Sequence, residues 1–309
     1  MKTLILLHGR GFKPPKTQLK KLWLDALRFG IARDFPAALD LFDATRIEFV
    51  YYGDISNAFL SQLSGDPVPD DITTRKATLD GLKLWKKSEF DKANYEGLAG
   101  KESYKEGLAD VLSAVLSFTR LGDEVISLVA PDMKEYWMGY QSPFGSAVRA
   151  PVTRPLKRAL NRSDSVCIIA HSLGSLIAYD VLWKFSYMSE YRPDYCNKLV
   201  DLFLTIGSPL GDDTVKRGLF GASATNERQF PCNIRKWVNI AAEDDFICHD
   251  KRIKNDYREM LKWNLVDTIE DHEIYNLSLR NGKSNPHHST GYLIHPTLIK
   301  VLVGWLDAG

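Results

Sequence analysis

The sequence predicts an α/β fold, with a mostly parallel central sheet flanked by helices, built as one domain of 309 residues that carries a helical insertion. Three observations predict it. A short, continuous apolar run at 4–7 suits a strand buried on both faces, 166–170 is an apolar strand, and 199–206 and 234–242 read as further strands. Segments with apolar residues near a 3.6-residue period lie beside them. Strand, helix and strand follow one another at both ends of the chain, the order that forms a parallel sheet.

Taken in order, residues 4–7 form a strand that ends in a glycine turn and starts the fold. Residues 16–32 carry Leu19, Leu22, Trp23, Ala26, Leu27 and Phe29 on one face and Lys or Arg on the other, an amphipathic helix. Ile47, Phe49 and Tyr51 alternate with Glu48 and Val50 before Gly53 and Asp54, so 46–52 reads as a second strand. From about 54 to 150 the chain is charged, with a turn-rich entry at 64–71, helix-like segments at 74–88 and 103–120, and few strand candidates. A largely helical insertion or cap is expected there. Its aromatics Trp85, Tyr95, Tyr104, Tyr136 and Trp137 suit the insertion's own core, and a lid or substrate wall is the alternative. Regular alternation returns at 165, with strands at 166–170, 199–206 and 234–242 and a helix at 173–184. After a mixed segment at 251–263, a short last strand is expected at 273–276. A terminal helix over 296–306 follows, with Pro296 at its first position.

Composition removes several classes of function. With 44% hydrophobic residues the chain buries a large core without disulfides or metals. Forty Lys plus Arg against 39 Asp plus Glu give a net charge of +1, with no long-range pull toward nucleic acid. Cys167, Cys196, Cys232 and Cys248 lack the paired spacings of zinc sites, and Cys167 reads as core. HExxH and GxxxxGK motifs are absent, so neither a metal nor a cofactor is expected. The apolar run at 4–7 is too short for a signal peptide, and no stretch approaches the length of a membrane span. A soluble, unprocessed, cytoplasmic protein is expected.

The chemistry centres on residues 166–182, VCIIAHSLGSLIAYDVL, where an apolar strand runs through Ala170, His171, Ser172, Leu173 and Gly174 into an apolar helix. This is a nucleophile-elbow layout: the serine Oγ stands above the sheet and the Leu173 N–H faces a developing oxyanion. Such a turn crowds its flanks, and Ala170 and Gly174 are small. An ordinary serine in a tight strand-to-helix turn is the plain alternative. Neighbours around such a turn point apart, so His171 reads as packing.

LILLHGRG near the start, AHSLGS at the elbow, and acidic and His loops late in the chain together resemble the α/β-hydrolase superfamily, particularly its lipase- and esterase-like bacterial members. Residues 54–150 lie outside the resemblance, and Ala170 stands where Gly is commoner. The resemblance implies a serine hydrolase acting on a small-molecule or lipid-like ester. It places His8, Gly9, Arg10 and Gly11 at the oxyanion loop, with the N–H of Arg10 as second donor. The Arg10 side chain is expected in a salt bridge or in solvent, with an anionic substrate group as the alternative. For the acid it favours Asp245, followed by Phe246 and Ile247, over Asp244 and then Asp212; a cap or turn role is the plain reading of each. The base is expected in the loop 283–289, where the Asn285–Pro286 turn aims His287 inward and leaves His288 in solvent. His288, His272, His249 and His295 remain alternatives. Ser172, Asp245, His287 is the chain order of this fold. An acyltransferase or thioesterase would use the same residues, and a non-catalytic binding module is the rival from another class.

Overall fold

Six strands, β1 (Lys2–Leu7), β2 (Arg46–Val50), β3 (Ser165–His171), β4 (Val200–Ile206), β5 (Ile234–Ala242) and β6 (Thr268–Ile274), form one parallel sheet in the computed structural model. Their order is β2-β1-β3-β4-β5-β6. The structure describes residues 1–64, 72–100, 131–137, 142–248 and 250–308. Pairing levels the carboxyl ends: Leu7 lies beside Val50 and Ala170, His171 beside Ile206, and Ile206 beside Ile240. From β1 the chain runs outward to β2 and returns to place β3 on the other side of β1. The winding therefore reverses between β1 and β3, where the loops leaving the two strands diverge and open a crevice.

Helices cover both faces, because the central strands β1, β3 and β4 are buried on both. The longer ones are α1 (Lys16–Asp34), α2 (Gly53–Ser64), α3 (Ile72–Leu82), α4 (Pro131–Trp137), α5 (Pro143–Asn161) and α6 (Leu173–Tyr187). Later in the chain come α7 (Asp213–Gly218), α8 (Ser289–Leu293) and α9 (Pro296–Asp307). On one face α1, α3, α8 and α9 pack on Leu4, Leu6, Cys167, Ile169 and Leu204. On the other, α5 and α6 pack on Ile5, Leu7, Val166, Ile168 and Phe203. A small antiparallel hairpin, β7 (Leu279–Arg280) and β8 (Lys283–Ser284), turns through Asn281 and Gly282, both at positive φ. It is tied to α3 by the Thr78 hydroxyl, which donates to the Leu279 carbonyl at 2.7 Å. No described helix is long and apolar enough to cross a membrane.

Two elements differ from the sequence expectation. The last strand is Thr268–Ile274, not 273–276. It lies at the sheet edge and pairs only with β5, so Glu270, Asp271, His272 and Glu273 can be partly exposed and the apolar run is missing. Helix α5 crosses position 150, the expected end of the insertion, and packs in the main core through Val148, Val152 and Leu156. Pro151 and Pro155 inside it hide its period. Between 54 and 142 the described residues contain helices and no strand. Tyr95 and Tyr136 are buried, Tyr95 packing with the sheet-facing core beside α1 and α3. The segment 103–120 with Tyr104, most of 64–71, His249 and the Trp137 side chain lie outside the described residues.

The α1–α9 contact gives a stability test. A Cβ on Gly30 would stand 2.7 Å from Ile299 Cδ1 and 3.3 Å from the Ile294 carbonyl, whereas one on Gly304, inside α9, would meet nothing within 4 Å. Gly30→Leu should therefore lower unfolding stability in urea by about 1–3 kcal/mol through overpacking. Gly304→Ala should raise it by about 0.5–1 kcal/mol through helix propensity. Effects of the same sign would contradict this packing.

Candidate active site

At the end of β3 the chain turns through Ser172, at φ 53° and ψ −128°, directly into α6. That conformation is costly for a residue with a Cβ and persists only where its surroundings over-determine it. Several contacts do so. The Ser172 N–H donates to the Ile206 carbonyl at 3.1 Å, tying the turn to β4. A Cβ on Gly174 would lie 2.5 Å from the His8 carbonyl oxygen, and one on Gly9 would lie 2.8 Å from Ser172 Cβ. Only glycine at both positions lets the loop after β1 and the start of α6 close on the serine. Leu173 opens α6, so its N–H has no acceptor within the helix and stands beside Ser172.

The loop after β1 is fixed by His8. Its Nδ1–H donates to the Gly9 carbonyl at 2.8 Å, and its Nε2 accepts the Tyr52 N–H at 3.2 Å. The ring stacks on Tyr52 at 4.0 Å, and the Tyr52 hydroxyl donates to the His8 carbonyl. Both ring nitrogens are thus used by a neutral imidazole. The Arg10 guanidinium pairs with buried Asp132 at 2.9 Å, the salt-bridge outcome expected of it, and the Gly11 N–H donates to the same carboxylate at 3.0 Å.

His287 brings the remaining groups together. Its Nε2 lies 3.1 Å from Ser172 Oγ, and its Nδ1 lies 2.9 and 3.0 Å from the two oxygens of Asp245. Asp245 is 1% exposed. It also accepts the Tyr292 hydroxyl at 2.6 Å and the Ile247 N–H at 3.1 Å. Burial pushes the Asp245 carboxyl up, but the charge and hydrogen bond of His287 and the Tyr292 hydroxyl outweigh it and hold the group below its ordinary range. An ionised Asp245 only accepts, so Nδ1 carries the ring proton and Nε2 is left to accept from the serine. Gly207, at φ 52° after β4, keeps the junction open: a Cβ there would stand 3.0 Å from Asp245 Oδ2 and 3.2 Å from His287 Nδ1.

The backbone around His287 is clamped by residues that carry no motif. The Asn276 amide donates to the carbonyls of Pro286 and His288, at 2.7 and 3.1 Å, bracketing His287 on both sides. Gly291 lies so close to Asn276 and Ser278 that a Cβ would collide with both side chains. His171 is buried, as a packing residue should be. It also donates from Nε2 to the His287 carbonyl at 2.9 Å, with the two rings 4.7 Å apart.

His288 is a correction. It is 5% exposed rather than in solvent, because its N–H bonds the Asn285 carbonyl and its own carbonyl is held by Asn276, turning the ring inward. The other candidates serve elsewhere. Asp244, at φ 57°, accepts the Tyr95 hydroxyl at 3.1 Å. Asp212 caps α7. His272 sits on β6, 3.7 Å from Glu270, and His295 caps α9. Among the described residues no group of three or more His, Cys, Asp or Glu is placed to hold a metal. Ser172, His287, Arg10 and His288 line one cavity of 220 Å³. A groove of 780 Å³, lined by Thr74, Leu82, Trp85 and Leu279, is larger but contains none of these groups.

The histidines give a pH test. Burial, the largest cause, lowers the pKa of His8 and His295 to about 3 and that of His171 and His288 well below the usual 6.5. All four stay neutral when folded and take up protons on unfolding, so their contribution is complete above pH 6.5 and is lost as pH falls below it. Asp180, raised by burial to about 6, opposes them, since between 3.8 and about 6 the folded state holds its proton. The four histidines outnumber the carboxyls that burial raises, Asp180 and Asp271, so stability should fall as pH drops from 7 to 5. Urea unfolding at pH 7 and pH 5 reads this slope, and equal stabilities would contradict the neutral rings. In comparisons with protein-family models, curated proteins and solved structures, nothing matches this chain.

Proposed function

We propose that the protein is a serine hydrolase of the α/β-hydrolase type that cleaves an ester-like bond through an acyl-enzyme. The observation that carries this reading is the unbroken series from Ser172 Oγ through His287 to Asp245, at the carboxyl edge of the sheet. His287 Nε2 takes the Ser172 proton as Oγ attacks the carbonyl carbon. Asp245 keeps the Nδ1 proton in place and stabilises the imidazolium. The N–H groups of Leu173 and Arg10, on either side of the serine, receive the oxyanion. The imidazolium then protonates the leaving oxygen, the acyl group stays on Ser172, and water completes the cycle with His287 again as base. An acyltransferase or thioesterase would run the same first half and differ in the acyl acceptor or the leaving group. A binding module would have no use for a base within hydrogen-bond reach of a strained serine.

Ser172→Ala should fold normally and lose activity on short esters by roughly 10³–10⁶ in kcat. A fluorophosphonate probe should label the wild type and not the variant. Unchanged turnover in Ser172→Ala would end this reading. Asp245→Asn should lower kcat by on the order of 10⁴, because an amide can present the wrong group to Nδ1 and stabilise the wrong tautomer. Asp244→Asn, whose carboxylate faces Tyr95, should retain most activity. Parallel kcat measurements on the two variants test the assignment, and the reverse ranking would move the acid to Asp244.

A further inference from the structure

The Arg10 N–H is one of the two donors assigned to the oxyanion, and its direction is set by the peptide it belongs to. That peptide is trans, so its N–H and the Gly9 carbonyl point to opposite sides within one plane. On the Gly9 side the plane is held by His8, whose Nδ1–H donates to the carbonyl at 2.8 Å. On the Arg10 side it is held by Asp132, which sits on α4. Asp132 Oδ1 accepts the Arg10 Nε–H at 3.0 Å and lies 2.9 Å from a terminal guanidinium nitrogen, and its Oδ2 accepts the Gly11 N–H at 3.0 Å. One carboxylate therefore grips both the side chain of Arg10 and the peptide that follows it. Gly11, at φ 83°, has a backbone freedom that would otherwise loosen this loop. Burial pushes the Asp132 carboxyl up, but the charge and hydrogen bond of Arg10, the Gly11 N–H and the charge of Lys13 outweigh it and hold the group below its ordinary range.

Helix α4 is itself fixed on the helix that carries the other donor. Tyr136 lies four residues after Asp132, on the same side of α4. Its hydroxyl donates to Asp180 Oδ2 on α6 at 2.5 Å, and Asp180 Oδ1 accepts the Phe220 N–H at 2.8 Å. The Arg149 guanidinium of α5 lies over the rings of Tyr136 and Phe220, 5.3 and 4.4 Å from their centroids. Ser142, which caps α5, donates its hydroxyl to Glu135 at 3.1 Å. Met133 and Tyr136 are buried in the core that α5 and α6 share. The Leu173 N–H opens α6, so α4 ties the loop carrying one donor to the helix carrying the other.

We propose that Asp132 is a positioning residue for the oxyanion hole, holding the Gly9–Arg10 peptide so that its N–H and that of Leu173 meet one oxygen. The role rests on the hydrolase reading, and it gives the segment between β2 and β3 a part in the reaction. Donors fixed in advance need no reorientation as charge develops on the oxygen. A loop free to swing would therefore lose rate and keep its affinity for the ester. A buried ion pair kept for stability alone would change the folding equilibrium and leave the rate per folded molecule as it was.

Hydrolysis of p-nitrophenyl butyrate, with active enzyme counted by fluorophosphonate labelling, reads the role. Asp132→Asn, whose amide no longer pairs with the guanidinium, should lower kcat by about 10²-fold with KM nearly unchanged, as for a misplacement of about 1 Å. Arg10→Met, which keeps the backbone N–H, should do the same, and Arg10→Lys should retain part of the rate. A trifluoromethyl ketone gives a second reading: Ser172 Oγ adds to its carbonyl carbon while the serine proton passes to His287, and the oxyanion so formed needs both donors. Its Ki should rise by the factor by which kcat/KM falls. The double variant Arg10→Met/Asp132→Asn separates positioning from stability, because neither member of the pair is left as a charge without the other. Its urea midpoint should recover toward the wild type and its kcat should not. A kcat that recovers with the midpoint, a KM that rises at unchanged kcat, or an unchanged Ki in Asp132→Asn would overturn the role and leave the hydrolase reading in place. Wild-type protein that neither turns over the ester nor takes the fluorophosphonate would remove that reading, and the role with it.

Discussion

The constraint on which the rest of the structure depends is the positive-φ turn at Ser172, wedged between the loop after β1 and the first turn of α6. A non-glycine residue in such a conformation costs on the order of 1–3 kcal/mol, and that strain is tolerable only if the neighbours cannot move. They cannot. Gly9 and Gly174 bring backbone to the serine from two sides, and the Ile206 carbonyl holds its N–H from a third. Level strand ends then present Ser172, Gly207 and the turn carrying Asp245 at one rim of the sheet, so His287 needs only a single loop to reach both its partners.

Electrostatics follow from the same burial. The rim contains four histidines, His8, His171, His287 and His288, and burial excludes the charged form of the three that do not touch Asp245. Asp245 keeps its charge, because three donors replace the water it lost. Among the described residues the cavity beyond it is lined by Arg10, Lys13, Arg75 and Arg280, although the whole chain has a net charge of only +1. Overall charge says nothing of a local field when acids and bases are sorted by position. Here the sorting is done by α3 and the β7–β8 hairpin, both outside the central sheet.

Central strands β1 and β3 were legible because burial on both faces leaves short apolar runs, at 4–7 and 166–170. Ser172, Asp245 and His287 were legible because each lies where a strand end or a late loop restricts the residue types. Edge strand β6 was not, since half-exposed Glu270 and Glu273 erase the run, and α5 was not, since prolines interrupt its period. Asn276, Gly207 and Tyr292 were also missed. Their roles are long-range contacts to His287 and Asp245, and no local spacing encodes a contact between residues joined only by folding. One signal was present and unused: Asn281–Gly282 is the dipeptide of a two-residue hairpin, and it announces the turn that carries Arg280 into the cavity.

His288 shows why the side of a loop is harder to read than its existence. Adjacent residues on a strand alternate faces, so with His287 pointing inward the simplest expectation sends His288 outward. In a turn that rule fails. The Asn285 carbonyl and the Asn276 amide bend the chain so that α8 starts at Ser289, and both rings end up on the inner side. Burying a second imidazole with no hydrogen-bond partner among the described residues is costly, and so is burying the Trp23 indole N–H in the same way. Two apolar cores, one on each face of the sheet, supply the stability that offsets these costs.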